Sequence, residues 1–93
     1  MIEFNSFMEF NKSISDRDIS FIRSVTDLVI KAIDDDEEKV TIFSTPDIFG
    51  DEILSFTVSK EQYKKLLSKS VKDFENEEMY EECSIISEYL SKL

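Results

Sequence analysis

Ile53-Leu54-Ser55-Phe56-Thr57-Val58-Ser59-Lys60-Glu61-Gln62-Tyr63 changes its hydrophobic period partway along. Leu54, Phe56 and Val58 recur at every second position, which is the pattern of a half-buried strand. Ser59 and Gln62 then stand three residues apart, the spacing of a capping box that opens a helix. Beyond it Tyr63, Leu66, Leu67, Ser70, Val71 and Phe74 keep the i, i+3, i+4, i+7, i+8 spacing of one helical face. A strand running directly into a helix selects an α+β fold over an all-helical one.

Upstream, residues 40–44 are rich in β-formers, and residues 45–51 hold the only proline and the only glycine, Pro46 and Gly50. Those two residues punctuate turns for backbone reasons. The two β-rich segments therefore predict an antiparallel hairpin with a loop of about seven residues. Before the hairpin, Ser15-Asp16-Arg17-Asp18 predicts a helix start, and the helix should run to about Ile33. Its apolar arc is broad (Ile19, Phe21, Ile22, Val25, Leu28, Val29, Ile30, Ala32 and Ile33), so it should lie at the centre of the core, covered on two sides. Asp34-Asp35-Asp36-Glu37-Glu38 helps to end it, because acids at a helix C-terminus oppose the macrodipole. Residues 2–10 read as a third, N-terminal strand from the alternation of Ile2, Phe4, Met8 and Phe10, or as a short helix capped by Ser6. Downstream, Asn76 is a break, and Met79, Cys83, Ile86, Leu90 and Leu93 form a second apolar stripe. The C-terminal third is thus an antiparallel helical hairpin packed against the sheet. Residues 1–93 make a single domain, with no repeat and no linker.

Eleven basic against 21 acidic residues leave a net charge of −10, and the chain has no histidine. Ser-His and Cys-His nucleophilic pairs are therefore excluded. One glycine cannot build a phosphate loop, and the 34–38 run lacks the alternation and central glycine of a calcium loop. No carboxylate is marked as buried or shifted for acid–base work, and Cys83 on an apolar stripe reads as a small hydrophobe. No enzyme activity, cofactor or metal is expected. The negative balance disfavours direct contact with nucleic acid or anionic membranes and favours a basic protein surface as partner. A lone cysteine forms no internal disulfide, and the acidic first ten residues lack the basic start of a secretory leader. The expected location is a reducing cytoplasm, including that of a phage-infected bacterium. Ala32, Gly50 and Pro46 are single occurrences and Arg17 and Arg23 the only arginines. This skew against G/C-rich codons fits an A/T-rich gene of a low-GC bacterium or its phage.

The acids of the last helix set the functional expectation. Glu77 with Glu81, and Glu78 with Glu82, are i, i+4 pairs about 6 Å apart along a helix axis. That spacing resembles successive phosphates on a nucleic-acid strand. Like charges so placed oppose the helix, so they either serve a partner or are neutralised by Lys60, Lys64, Lys65, Lys69 and Lys72 on the preceding helix. Ile85 and Tyr89 fall off the apolar stripe beside those acids and could anchor a basic partner, or pack inward. Ile48 and Phe49 pose the same choice between an exposed binding tip and a cap folded over the core.

Tyr80-Glu81-Glu82-Cys83-Ser84-Ile85-Ile86-Ser87-Glu88-Tyr89-Leu90, within residues 71–93, resembles the second half of a UVR-type helical hairpin. Tyr80-Glu81 matches that family's aromatic-Glu pair, Cys83-Ser84 its small pair, and Ile86 and Leu90 its apolar positions. Ser87-Glu88 stands where the family has Arg-Asp. The resemblance implies a protein–protein docking element.

The expected function is a small acidic, non-enzymatic binding protein. It would be a phage- or mobile-element-encoded inhibitor occupying the basic, nucleic-acid-binding surface of a partner, of the anti-restriction or anti-CRISPR kind. An immunity protein to a basic toxin is a close variant. Glu77, Glu78, Glu81, Glu82 and Glu88 would steer and contact the partner; Ile85, Tyr89, Ile48 and Phe49 would anchor it. The alternative is a structural or adaptor module that docks through its helical hairpin, including on a copy of itself.

Overall fold

A computed structural model describes every residue except position 17. The elements run β1 (Ile2–Glu3), α1 (Phe7–Ser15), α2 (Ile19–Asp34), β2 (Lys39–Pro46), β3 (Ile53–Ser59), α3 (Lys60–Asn76) and α4 (Tyr80–Lys92). This is an α+β fold: a three-stranded mixed sheet of order β1-β2-β3 with four helices. The long helix, the β-hairpin, the N-terminal strand and the C-terminal helical hairpin are all present.

Residues 2–10 divide between the two expected readings. β1 is two residues long and pairs parallel to β2. Ser6 then caps α1, accepting from the Glu9 N–H at 3.2 Å. The start of α2 moves downstream from where the sequence put it. Asp18 is the N-cap, accepting from Ser20 N–H at 2.9 Å, while Ser15 and Asp16 close α1; Arg17 lies outside the described residues. An acceptor nearer the first apolar turn wins the cap because it reaches the free N–H groups directly.

β2 and β3 pair antiparallel, with a bulge that leaves Ile42 as the extra residue between Thr41 and Phe43. The bulge decides the packing. It lets Ile42 and Phe43 both serve the helical side of the sheet, where Ile42 is buried and Phe43 packs against the core. On the opposite face Thr41 and Thr57 share a 3.0 Å hydroxyl hydrogen bond. α2 and α3 cover the inner face, over β2 and β3 respectively, and pack against each other. Val29, Ala32, Ile42, Val58, Tyr63, Leu67, Phe74 and Ile86 form the core. Thr26 and Ser70 lie buried between α2 and α3, hydrogen-bonded to each other at 3.0 Å, so neither hydroxyl is left unpaired. Within the C-terminal hairpin, α3 packs on the sheet and α4 packs on α3.

A chain of ring contacts ties the N-terminal elements to the sheet. Phe4, Phe7, Phe10, Phe21 and Phe43 meet at centroid distances of 4.7 to 6.3 Å. Phe56 stacks flat on Phe43 at 5.2 Å at the open end of that chain. The sequence predicts one buried face for Leu54, Phe56 and Val58. They do share a face, but only Val58 is buried. The helical layer ends short of the outer half of β3.

Candidate acidic interface

The carboxylates singled out by sequence divide into two groups once helix ends are located. α3 ends at Asn76 with Glu77 as its C-cap, and α4 begins at Tyr80. Glu77 and Glu78 therefore belong to the interhelical turn. The expected helical i, i+4 pairs with Glu81 and Glu82 do not lie on a common helix, so helix geometry does not set their spacing. Glu81 and Glu82 occupy the first turn of α4, where the macrodipole favours acids. Glu82 is also held by Arg23 of α2 at 2.9 Å. These two acids thus have a structural reason to be where they are.

Glu77 and Glu78 have none. The turn is a Schellman motif: Met79 N–H donates to Phe74 O at 2.8 Å and Glu78 N–H to Glu75 O at 3.0 Å. That motif needs a left-handed residue, and Glu78 supplies it with φ 58°. Both acids sit at the negative end of α3, where the dipole opposes them. Glu77, Glu78, Glu81 and Glu88 are exposed. Among the described residues none of the four makes an ion pair.

The lysines of α3 do not neutralise them. Lys60 pairs instead with Asp36 at 2.9 Å, which lowers the Asp36 carboxyl below its usual range and raises the Lys60 ammonium. Lys64, Lys65, Lys69 and Lys72 gather around one shallow depression, with Glu61 as the only acid lining it. These four lysines thus gather on α3 and none forms an ion pair with Glu77, Glu78, Glu81 or Glu88 among the described residues.

The 34–38 run is a clamp on α3 and α4. Asp34 accepts from the Tyr89 hydroxyl at 3.0 Å, the Glu37 carbonyl from the Tyr63 hydroxyl at 3.1 Å, and the Glu38 carbonyl from Lys60 N–H at 2.7 Å. The hydrogen bond to Asp34 raises the Tyr89 phenol above its ordinary value. Tyr89 is thereby turned inward onto α2. Ile85 remains half-exposed and forms one wall of a groove of about 250 Å³ between α2 and α4, with Phe74 and Ile86 below and Asp27 and Glu82 at the rim. Ile48 and Phe49 stand out in solvent at the hairpin tip. Asp47 shapes that tip, its Oδ1 accepting from Phe49 N–H and Asp51 N–H, both at 3.0 Å, with Gly50 at φ 76°. The tip is a surface of its own, separate from α4. Cys83 donates to Val71 O at 3.5 Å, and burial, followed by Glu75 and Glu82, pushes its thiol up. Among the described residues no cluster of His, Cys, Asp or Glu could hold a metal ion. No helix is long and apolar enough to cross a membrane.

No family model, no curated protein and no solved structure matches the chain. The UVR-type likeness of residues 71–93 therefore stands on those residues alone.

Proposed function

We propose that this protein is a non-enzymatic binding module that sets the carboxylates of the α3–α4 turn and α4 against a basic surface of another protein. The surface expected to need such an occupant is one that ordinarily holds nucleic acid. One observation carries the reading: Glu77, Glu78, Glu81 and Glu88 are exposed and without ion pairs among the described residues, although four lysines of the adjacent helix lie on the same hairpin. Glu77 and Glu78 are also held against the α3 dipole, and Glu78 in a left-handed backbone as well, costs that do not require an acid at either position. The half-exposed Ile85, in the groove rimmed by Asp27 and the Arg23–Glu82 pair, would supply an apolar anchor on the same helix as Glu81 and Glu88. An inhibitor of a nucleic-acid enzyme, of the anti-restriction or anti-CRISPR kind, would use this surface in that way, as would an immunity protein against a basic toxin.

The groove between α2 and α4 favours a second reading, an adaptor that docks apolar side chains through its helical hairpin. Salt and charge separate the two. In the first, a captured nucleic-acid-binding protein is released by competing DNA and by salt, because exposed charges are screened within about 8 Å at physiological ionic strength. Replacing Glu77, Glu78, Glu81 and Glu88 together by Gln abolishes capture, and replacing Lys64, Lys65, Lys69 and Lys72 by Gln leaves it intact. Capture that survives both salt and the four Gln substitutions, and is lost on Ile85→Asp, rejects the acidic reading in favour of the adaptor.

A further inference from the structure

β3 is the outer strand of the sheet, and its free edge is unprotected. Natural edge strands carry charges, prolines or bulges that prevent further pairing. Residues 53–59 carry none of these, in a chain that is 34% charged. The bulge lies on β2. Five exposed apolar side chains fall on this strand and the loop before it: Ile53 is 68% exposed, Leu54 45% and Phe56 48%, with Ile48 at 71% and Phe49 at 82% on the adjoining loop.

The hydrogen-bonding direction of the edge follows from the register. Phe4 N–H donates to Ser44 O at 3.0 Å, so the peptide groups of Ser44 face β1. Its antiparallel partner Ser55 then turns its own groups away from β2. By the two-residue alternation of a strand, Ile53, Ser55 and Thr57 all point outward. Ser59 would be next, but its N–H is taken by the Gln62 side chain at 2.9 Å. The free edge is therefore three residues centred on Ser55.

We infer that this edge pairs with β3 of a second copy of the chain, antiparallel about a two-fold axis at Ser55, giving a continuous six-stranded sheet. This register uses all three outward positions, with Ser55 opposite Ser55 and Ile53 opposite Thr57. On the inner face it sets Leu54 of each copy against Phe56 of the other, an apolar cross-strand pair at each side of the axis. The local charge pattern favours a second copy as occupant. β3 is entered from Asp51-Glu52 and leads into α3, where Lys64, Lys65 and Lys69 gather, Lys60 itself being held by Asp36. Antiparallel pairing brings the acidic entry of one copy beside the basic exit of the other, twice. It also carries the tip with Ile48 and Phe49 alongside the aliphatic stems of the α3 lysines, where Glu61 is the only acid. With roughly 200 Å² on each large apolar side chain, the five exposures amount to roughly 600 Å² of apolar surface per copy, of which pairing covers a part. The backbone and polar groups along the joined edges add the rest of what a specific interface of at least roughly 1,200 Å² needs. The inference rests on the sheet edge and is independent of the acidic surface of α4.

Light scattering on the purified chain tests it. The expected mass at about 100 μM protein is twice the 10.9 kDa monomer, and it persists at high salt. Ser55→Pro removes an outward N–H that the protein's own sheet does not use, so it should give a monomer with unchanged circular dichroism. Cross-linking tests the register without loss of fold. In a Cys83→Ser background, Ser55→Cys should oxidise to a dimer, because paired Cα atoms about 5.5 Å apart suit a disulfide. Thr57→Cys alone should not, its copies lying roughly 14 Å apart along the strands, whereas Thr57→Cys mixed with Ile53→Cys should. A monomer at that concentration overturns the inference, as does a dimer that Ser55→Pro leaves intact or that cross-links equally at 55 and 57. So does a monomer whose β3 takes up an added extended peptide, which would assign the edge to a foreign strand.

Discussion

Replacing Glu78 by glycine should stabilise this protein and, under the proposed function, weaken its capture of a basic partner. Glu78 is the C′ residue of the α3 Schellman motif and adopts φ 58°. A side chain in the left-handed region costs about 1–2 kcal/mol. An acid at the C-terminal end of a helix adds about 0.3–1 kcal/mol of unfavourable dipole interaction. Glycine removes both but loses more backbone entropy on folding, about 0.5–1 kcal/mol. The balance is about 1 kcal/mol in favour of Glu78→Gly. For a domain of this size that corresponds to a rise in Tm of roughly 4–8 °C. Glu78→Gln isolates the electrostatic part, since it keeps the side chain in the left-handed region, and should recover only a few tenths of a kcal/mol. Urea and thermal melts followed by circular dichroism give the order Gly above Gln, and Gln at or above Glu. Glycine at or below the level of the native chain refutes the reasoning, because it would mean that the Glu78 side chain makes a stabilising contact outweighing its backbone conformation.

Tyr63→Phe removes the hydroxyl donated to the Glu37 carbonyl and should cost about 1 kcal/mol in urea melts. Burial raises the Tyr63 phenol above its ordinary value, so the folded state prefers the neutral form. That contribution is complete below the ordinary phenol range near 10 and is lost as pH rises through the folded value, so the alkaline fall in stability should be shallower in Tyr63→Phe. Phe74→Ala opens a cavity where α2, α3 and α4 meet and should cost about 3–5 kcal/mol, a large share of the stability of a small domain. Thr26→Val and Ser70→Ala, combined in a double-mutant cycle, should show a coupling of about 0.5–3 kcal/mol from their shared buried hydrogen bond; additive effects would dissolve that link between α2 and α3.

The parts of the fold legible in the sequence are those set by local signals. The switch of period at Ser59 located β3, the start of α3 and its Gln62 cap. The single Gly and Pro marked the hairpin, although Thr45 and Pro46, expected in its loop, are the last residues of β2. What was not legible depends on distant partners or on a single inserted residue. β1 is two residues long and exists only because β2 lies beside it, so no alternation could extend it. The bulge at Ile42 has no signature, yet it sets which residues of β2 face the helices. The exposure of Leu54 and Phe56 follows from where the helical layer ends, which a period of two does not encode. The acidic surface was legible as composition but not as geometry. Two residues of uncertainty at a helix boundary convert Glu77 and Glu78 from helix-face residues into turn residues, and Glu81 and Glu82 from repelling pairs into favoured first-turn acids. The position of Tyr89 off the stripe leaves anchor and inward packing both open, because it says nothing of Asp34, 55 residues away, which binds its hydroxyl.

The distribution of the acids narrows the functional argument. Asp34 and Asp36 are used by the fold, the one by Tyr89 and the other by Lys60. Glu81 and Glu82 are favoured by the dipole of α4, and Arg23 holds the second of them. Of the acids at the α3–α4 turn and on α4, this leaves Glu77, Glu78 and Glu88 with no side-chain hydrogen bond, ion pair or favourable dipole among the described residues. α2 ends in the same motif as α3: Glu37 N–H donates to Ala32 O at 2.8 Å and Asp36 N–H to Ile33 O at 3.1 Å, with Asp36 left-handed at φ 54°. There, however, the acid is engaged by Lys60. The two helix ends thus share one backbone conformation with an acid in the place that glycine usually fills, and they differ only in whether a cation answers it. An acid that the protein's own lysine engages is accounted for by folding. An acid kept in the same unfavourable geometry, with no cation paired to it among the described residues, is not accounted for by folding in that way, and under the proposed function that asymmetry puts Glu78 ahead of the acids of α4 as the residue to test first.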